Sequence, residues 1–105
     1  MYINAHNQIV FPIDSNTKDT QSFVFAVQYF KNIPDIKIID SYITIWDTNY
    51  FKFEIWKIYM ELYFVDAFLG TYLIIDANSS ESEISKVAKW CEDICKIIEK
   101  KKKNE

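Results

Sequence analysis

At 105 residues, half of them hydrophobic and eighteen aromatic, the chain suffices for one domain (1–105) whose core needs no disulfide or metal staple. One glycine and two prolines exclude glycine-rich phosphate cradles, P-loops and nucleophile elbows, which need several glycines at fixed spacing. The net charge of −3 gathers mid-chain, where Asp35, Asp40, Asp47, Glu54, Glu61, Asp66 and Asp76 stand against three lysines, a balance that argues against direct nucleic-acid binding and suits a basic protein partner.

The first element is the apolar run in NQIVFPID, residues 7–14, which reads as a strand. Pro12 has no N–H for a central ladder, so the strand belongs at a sheet edge. Ser15, Thr17 and Asp19 then offer helix N-caps. Phe23, Val27 and Phe30 recur at helical spacing with Val24 beside them, and Pro34 forbids continuation. The spacing predicts a helix from about Lys18 to Asn32.

Residues 36–56 read as a hairpin. Ile43 and Ile45 alternate with Tyr42, Thr44 and Trp46; Asp47, Thr48 and Asn49 supply a turn; Phe51, Phe53 and Ile55 resume the alternation. The phase then slips. Trp56, Ile58, Met60, Leu62 and Phe64 continue on the other parity. A one-residue slip inside a strand requires a β-bulge, because otherwise the apolar set changes faces. The same stretch also fits a helix from Asn49 to Leu69 with Gly70 as its C′ residue, its stripe formed by Phe51, Ile55, Ile58, Leu62, Val65 and Leu69. Aromatic and β-branched residues dominate, which favours strand. Residues 66–70 then turn the chain into a further strand, TYLIID.

The last element is the clearest. Serines and acids open SSESEISKVAKWCEDICKIIEKKKK and lysines close it, matching a helix dipole at both ends. Ile84, Val87, Ala88, Cys91, Ile94, Cys95 and Ile98 form one apolar stripe. The order is β-α-β-β-β-α. The fold class is α+β, an antiparallel sheet with two helices packed on one face.

Chemistry-bearing motifs are sparse. His6, the single histidine, sits in a polar stretch and reads as solvated; a general base needs a nucleophile or an orienting carboxylate beside it. Cys91 and Cys95 fall on the buried stripe and read as small core residues, since one distant histidine cannot complete a zinc site with them. The numerous carboxylates show no diagnostic spacing, and Asp near strand ends commonly caps turns and blunts edges. The run Lys100–Lys103 reads as a frayed, solvated helix end. No charged-then-apolar leader opens the sequence, and the longest apolar run, residues 67–75, is far too short to span a bilayer. These features suit a soluble protein of a reducing, cytoplasmic compartment without membrane contact. No cofactor, metal site or catalytic residue is expected.

What remains is a strand face. With Ile58, Met60, Leu62 and Phe64 under the helices, Lys57, Tyr59, Glu61 and Tyr63 face outward, with Trp46 and Tyr72 on neighbouring strands. Tyr and Trp anchor interfaces at small entropic cost. The expected partner-binding residues are Trp46, Asp47, Glu54, Tyr59, Glu61, Tyr63, Asp66 and Tyr72. A small, acidic, aromatic-rich domain without catalytic equipment has the general character of immunity proteins, which neutralise a cognate toxin, often a basic nuclease. The expected mechanism is occlusion, with carboxylates pairing with the partner's basic residues. Two other classes fit less well: a homodimer that buries the same face, and a small-molecule binder or enzyme with an aromatic-lined cavity.

Overall fold

The computed structural model describes residues 1–15, 20–43, 49–65 and 70–103. Alternation decides the sheet. Phe51, Phe53 and Ile55 on one strand and Ile58, Met60, Leu62 and Phe64 on the next all turn to one side, and each is buried. The elements in chain order are β1 (Tyr2–Ile3), β2 (Gln8–Asp14), α1 (Gln21–Lys31), β3 (Lys37–Tyr42), β4 (Asn49–Ile55), β5 (Ile58–Val65), β6 (Gly70–Asp76) and α2 (Glu81–Lys103). The strands form one antiparallel sheet in the order β1-β2-β6-β5-β4-β3. Both helices contribute to the core on the same side, so the α+β class and the one-sided helix layer stand as expected.

The phase slip between Ile55 and Ile58 is a hairpin turn, not the bulge expected within one strand. Trp56 and Lys57 both take positive φ, 51° and 67°, and the strands close directly around them with Ile55 opposite Ile58. Positive φ at both central residues defines a type I′ turn, whose twist matches that of the flanking strands. Paired residues share a face, and here the flanking pair is three apart in sequence. Parity therefore changes while the apolar set stays inside. Trp-Lys has none of the chemistry of an Asn-Gly turn, and for that reason the sequence reads through it. Among the described residues four strands follow α1 instead of three, and β4 and β5 over Asn49–Val65 exclude the rival helix that would begin at Asn49.

Bulges do occur, between Pro12 and Asp14 on β2 and between Ile38 and Asp40 on β3. The strand holding Pro12 is not the sheet edge, as expected, but the second strand. The conflict resolves locally. β1 pairs only with Ile9 and Val10, so Pro12 has no ladder partner on that side among the described residues.

Helix α1 begins at Gln21, three residues later than the spacing predicts, with Thr20 at its N-cap; Ser15 lies outside the helix, and Thr17 and Asp19 lie outside the described residues. Phe23, Ala26, Val27 and Phe30 form its buried side, whereas Val24 turns to solvent at 39 % exposure. Phe30 has no exposed surface and lies where three elements meet, its ring 4.8 Å from Phe53 and 6.3 Å from Trp90. Burying such a side chain contributes about 1.5–3 kcal/mol.

Helix α2 starts with a capping box. The Glu83 N–H donates to Ser80 Oγ at 3.2 Å and the Ser80 N–H donates to Glu83 Oε1 at 2.9 Å. Val87, Cys91, Ile94 and Ile98 are buried on the sheet side, with Ile84, Ala88 and Cys95 packed beside them, as the stripe predicts. Burial pushes the Cys91 thiol up to about 12, so it stays protonated. The lysine run is helical to Lys103 and partly engaged: Lys102 Nζ meets Asp14 Oδ2 at 3.0 Å and Lys101 Nζ lies 4.2 Å from the Phe25 ring centre. The Ser22 hydroxyl also donates to Asp14, so this carboxylate at the end of β2 joins the sheet to both helices. Among the described residues, no helix is long and apolar enough to cross a membrane.

Candidate interaction face

The side of the sheet away from the helices takes the other half of each alternation: Tyr50, Lys52 and Glu54 on β4, Tyr59, Glu61 and Tyr63 on β5, and Tyr72, Ile74 and Asp76 on β6. Register converts these into rows. Tyr42 pairs with Tyr50, Tyr50 with Tyr63, and Tyr63 with Tyr72, so one row of tyrosines crosses four neighbouring strands. Its ring centres are 5.9, 6.4 and 5.7 Å apart in that order, and the first and last pairs are stacked within about 22° of parallel. Such spacings lie within the range of favourable aromatic pairs. Pro12 of β2 continues the row beside Tyr72.

The adjacent row runs Asp40, Lys52, Glu61, Ile74, Val10. Lys37, Glu54 and Tyr59 form a third. Carboxylates thus flank the tyrosines at Asp40, Glu54, Glu61 and Asp76, against lysines at positions 37 and 52.

Glu61 is the centre of this chemistry. Tyr63 donates its hydroxyl proton to Glu61 Oε1 at 2.5 Å, and the Tyr59 phenol feels the same carboxylate from two residues away on the strand. The three residues stand at every second position of β5, the spacing that puts them on one face. Burial, then the neighbouring Glu61 carboxylate, push the Tyr59 phenol up to about 12, and burial and the bond to Glu61 raise Tyr63 as well. Burial, then the neighbouring Tyr2 phenol and the Glu61 carboxylate, raise Tyr72. Desolvation and the Asp40 carboxylate raise Tyr50, whose hydroxyl donates to Asp40 Oδ2 at 3.3 Å. All these phenols keep their protons at neutral pH. They hold carboxylates in place and present ring faces, while the carboxylates retain acceptor capacity on their open sides.

A cleft of about 200 Å³ opens on this face between Tyr59, Glu61, Ile74 and Asp76, with His6 at its rim. His6 is exposed in the β1–β2 turn, where its backbone N–H donates to Asn4 Oδ1 at 3.0 Å. Two carboxylates beside an aromatic ring offer both charge and a π-face to a cationic side chain.

Of the residues singled out in the sequence, the fold brings Glu54, Tyr59, Glu61, Tyr63 and Tyr72 onto this one face. Trp46, Asp47 and Asp66 lie outside the described residues. Lys57 was expected to stand in line with Tyr59 and Glu61, but the turn removes it from the strand. Sequence reasoning missed Tyr50 and Lys52, although both follow by parity from the buried Phe51 and Phe53. It also missed Tyr42 and Asp40, whose place in the rows depends on the β3–β4 register and its bulge. Compared with protein-family models, curated proteins and solved structures, the chain matches none.

Proposed function

We propose that this chain is a non-catalytic protein-binding module that docks a basic protein on the outer face of its sheet and acts by occlusion, as immunity proteins do against a basic toxin such as a nuclease. The observation that carries the reading is the tyrosine row Tyr42–Tyr50–Tyr63–Tyr72 with Asp40, Glu54, Glu61 and Asp76 around it. Tyrosine offers large, rigid contact area at low entropic cost and is frequent among interface hot spots. Carboxylates pinned by phenols need little further ordering on binding, and preorganisation of this kind adds affinity. The cleft at Tyr59, Glu61 and Asp76 is the seat for a partner's lysine or arginine.

The test compares the wild type with Glu61→Lys and Tyr63→Ser as immobilised baits in an extract of the source organism. A basic protein held by the wild type and released by either variant is then purified for calorimetry. Each variant is expected to weaken binding at least about thirtyfold, the weight of a hot-spot side chain of about 2 kcal/mol. A partner retained with unchanged affinity by both variants overturns the reading. A face hidden in a dimer that survives dilution on light scattering overturns it in favour of self-association.

A further inference from the structure

The β4–β5 turn obeys the core and breaks the local rule. Ile55 and Ile58 require a type I′ turn between them, but nothing in the core requires Trp-Lys as its two residues. Asparagine or glycine takes positive φ far more readily than tryptophan or lysine. Asp35 shares the left-handed backbone, at φ 68°, so Asp35, Trp56 and Lys57 are three of the four non-glycine residues with positive φ among the described residues. All three line one cleft of about 430 Å³, together with Ile36, Lys37 and Glu54. Residues held in sparsely populated backbone regions gather where ligands are clamped, and a residue that suits its turn badly is kept for what it presents.

The cleft presents an indole and two charges of each sign. Trp56 is half exposed, and its ring is held by Trp90, with ring centres 5.7 Å apart, and by Lys86 Nζ, 4.7 Å from its centre. Asp35 and Lys37 come from the segment that enters β3, the exposed edge strand of the sheet; Glu54 comes from β4 and Lys57 from the turn. Lys37 and Glu54 are cross-strand partners. Even so, among the described residues no ion pair or side-chain hydrogen bond engages Asp35, Lys37, Glu54 or Lys57. The two signs cancel. Such a lining favours neither a cation nor an anion, but a ligand that carries both charges close together.

We infer that this cleft binds a free α-amino acid with an apolar or aromatic side chain. The ammonium group meets Asp35 and Glu54, the carboxylate meets Lys37 and Lys57, and the side chain lies against the Trp56 indole and Ile36. The volume falls at the lower end of the range for small-ligand sites, as a ligand of this size requires. Residues inside a polypeptide lack both backbone charges, so a protein segment satisfies the cleft less well than the free amino acid. The site shares Glu54 with the outer face but does not rest on the docking of a basic protein there.

Free L-phenylalanine, titrated into the isotope-labelled full chain, is the probe. Saturable chemical-shift changes are expected at the Trp56 indole N–H and at the amides of residues 35–37 and 54–57. N-acetylphenylalanine and phenylalaninamide each lack one charge and are expected to bind about tenfold more weakly, the weight of one charge-assisted contact. Lys57→Gly relieves the turn and keeps the fold, yet is expected to lose about tenfold in affinity for phenylalanine, as is Glu54→Gln. Equal binding of the three probes reduces the cleft to an apolar patch and overturns the inference. Unchanged affinity in either variant overturns it, as does the absence of a saturable shift at about 20 mM phenylalanine. Shifts confined to Glu61, Ile74 and Asp76 place the ligand in the neighbouring cleft and overturn it too. None of these results bears on partner capture by the outer face, which Glu61→Lys and Tyr63→Ser test separately.

Discussion

Glu61 shows how one carboxylate organises a surface. The Tyr63 phenol of its own strand bonds it, the Tyr59 phenol is raised by it, and it lies one row from the tyrosine stack. Folded Tyr59 holds its proton more tightly than the unfolded chain, with its pKa moved from 10.0 to about 12. Its contribution to stability is complete below pH 10 and is lost as pH climbs through 10 toward 12. Glu61→Gln removes the charge and leaves the burial, which is the larger cause. Tyrosinate absorbance should therefore titrate at lower pH in the variant than in the wild type, while still above the ordinary phenol value. The alkaline loss of stability should also become shallower. A titration curve identical to that of the wild type would show that Glu61 does not govern these phenols.

At the scale of elements, the β4–β5 hairpin is stable despite its turn. A non-glycine residue in the left-handed region costs roughly 1–2 kcal/mol, and Trp56 and Lys57 are two such residues in succession. Contacts offset part of that cost at Trp56, whose ring centre lies 5.7 Å from that of Trp90 and 4.7 Å from Lys86 Nζ. Lys57 is exposed. Lys57→Gly should stabilise the fold by about 0.5–1 kcal/mol, net of the added chain entropy of glycine, as read from the urea midpoint. A destabilised variant would mean that the Lys57 side chain makes a compensating contact. The capping box of α2 is the opposite case, a local rule obeyed. Ser80→Ala should cost about 1 kcal/mol in the same measurement.

For the molecule as a whole, charge and layer geometry act together. The helices cover one side of the sheet, which leaves the other side to the acidic, tyrosine-rich rows. Docking of a basic protein there should be steered over long range, so its association rate should fall by about an order of magnitude as salt rises from tens of millimolar to about 0.5 M. Dissociation should change little, because close contacts are screened weakly. Stopped-flow kinetics separates the two. A salt effect confined to dissociation would argue that the charge distribution plays no steering part.

Periodicity is local, so the sequence alone determined what depends on neighbours in the chain: the α2 stripe, the α1 apolar side, the inward set Ile58–Met60–Leu62–Phe64, the α+β class, and the outward trio Tyr59, Glu61 and Tyr63. The parity slip was visible too, but its meaning was not, since Trp56 and Lys57 carry no turn signature and take positive φ only because Ile55 and Ile58 must both face the core. Strand order and register join residues far apart in sequence through backbone hydrogen bonds that every residue but proline can make. Only the tertiary structure could place Tyr42 and Tyr72 in one row with Tyr50 and Tyr63, set β2 inside the edge despite Pro12, and leave β3 open beyond the helix layer.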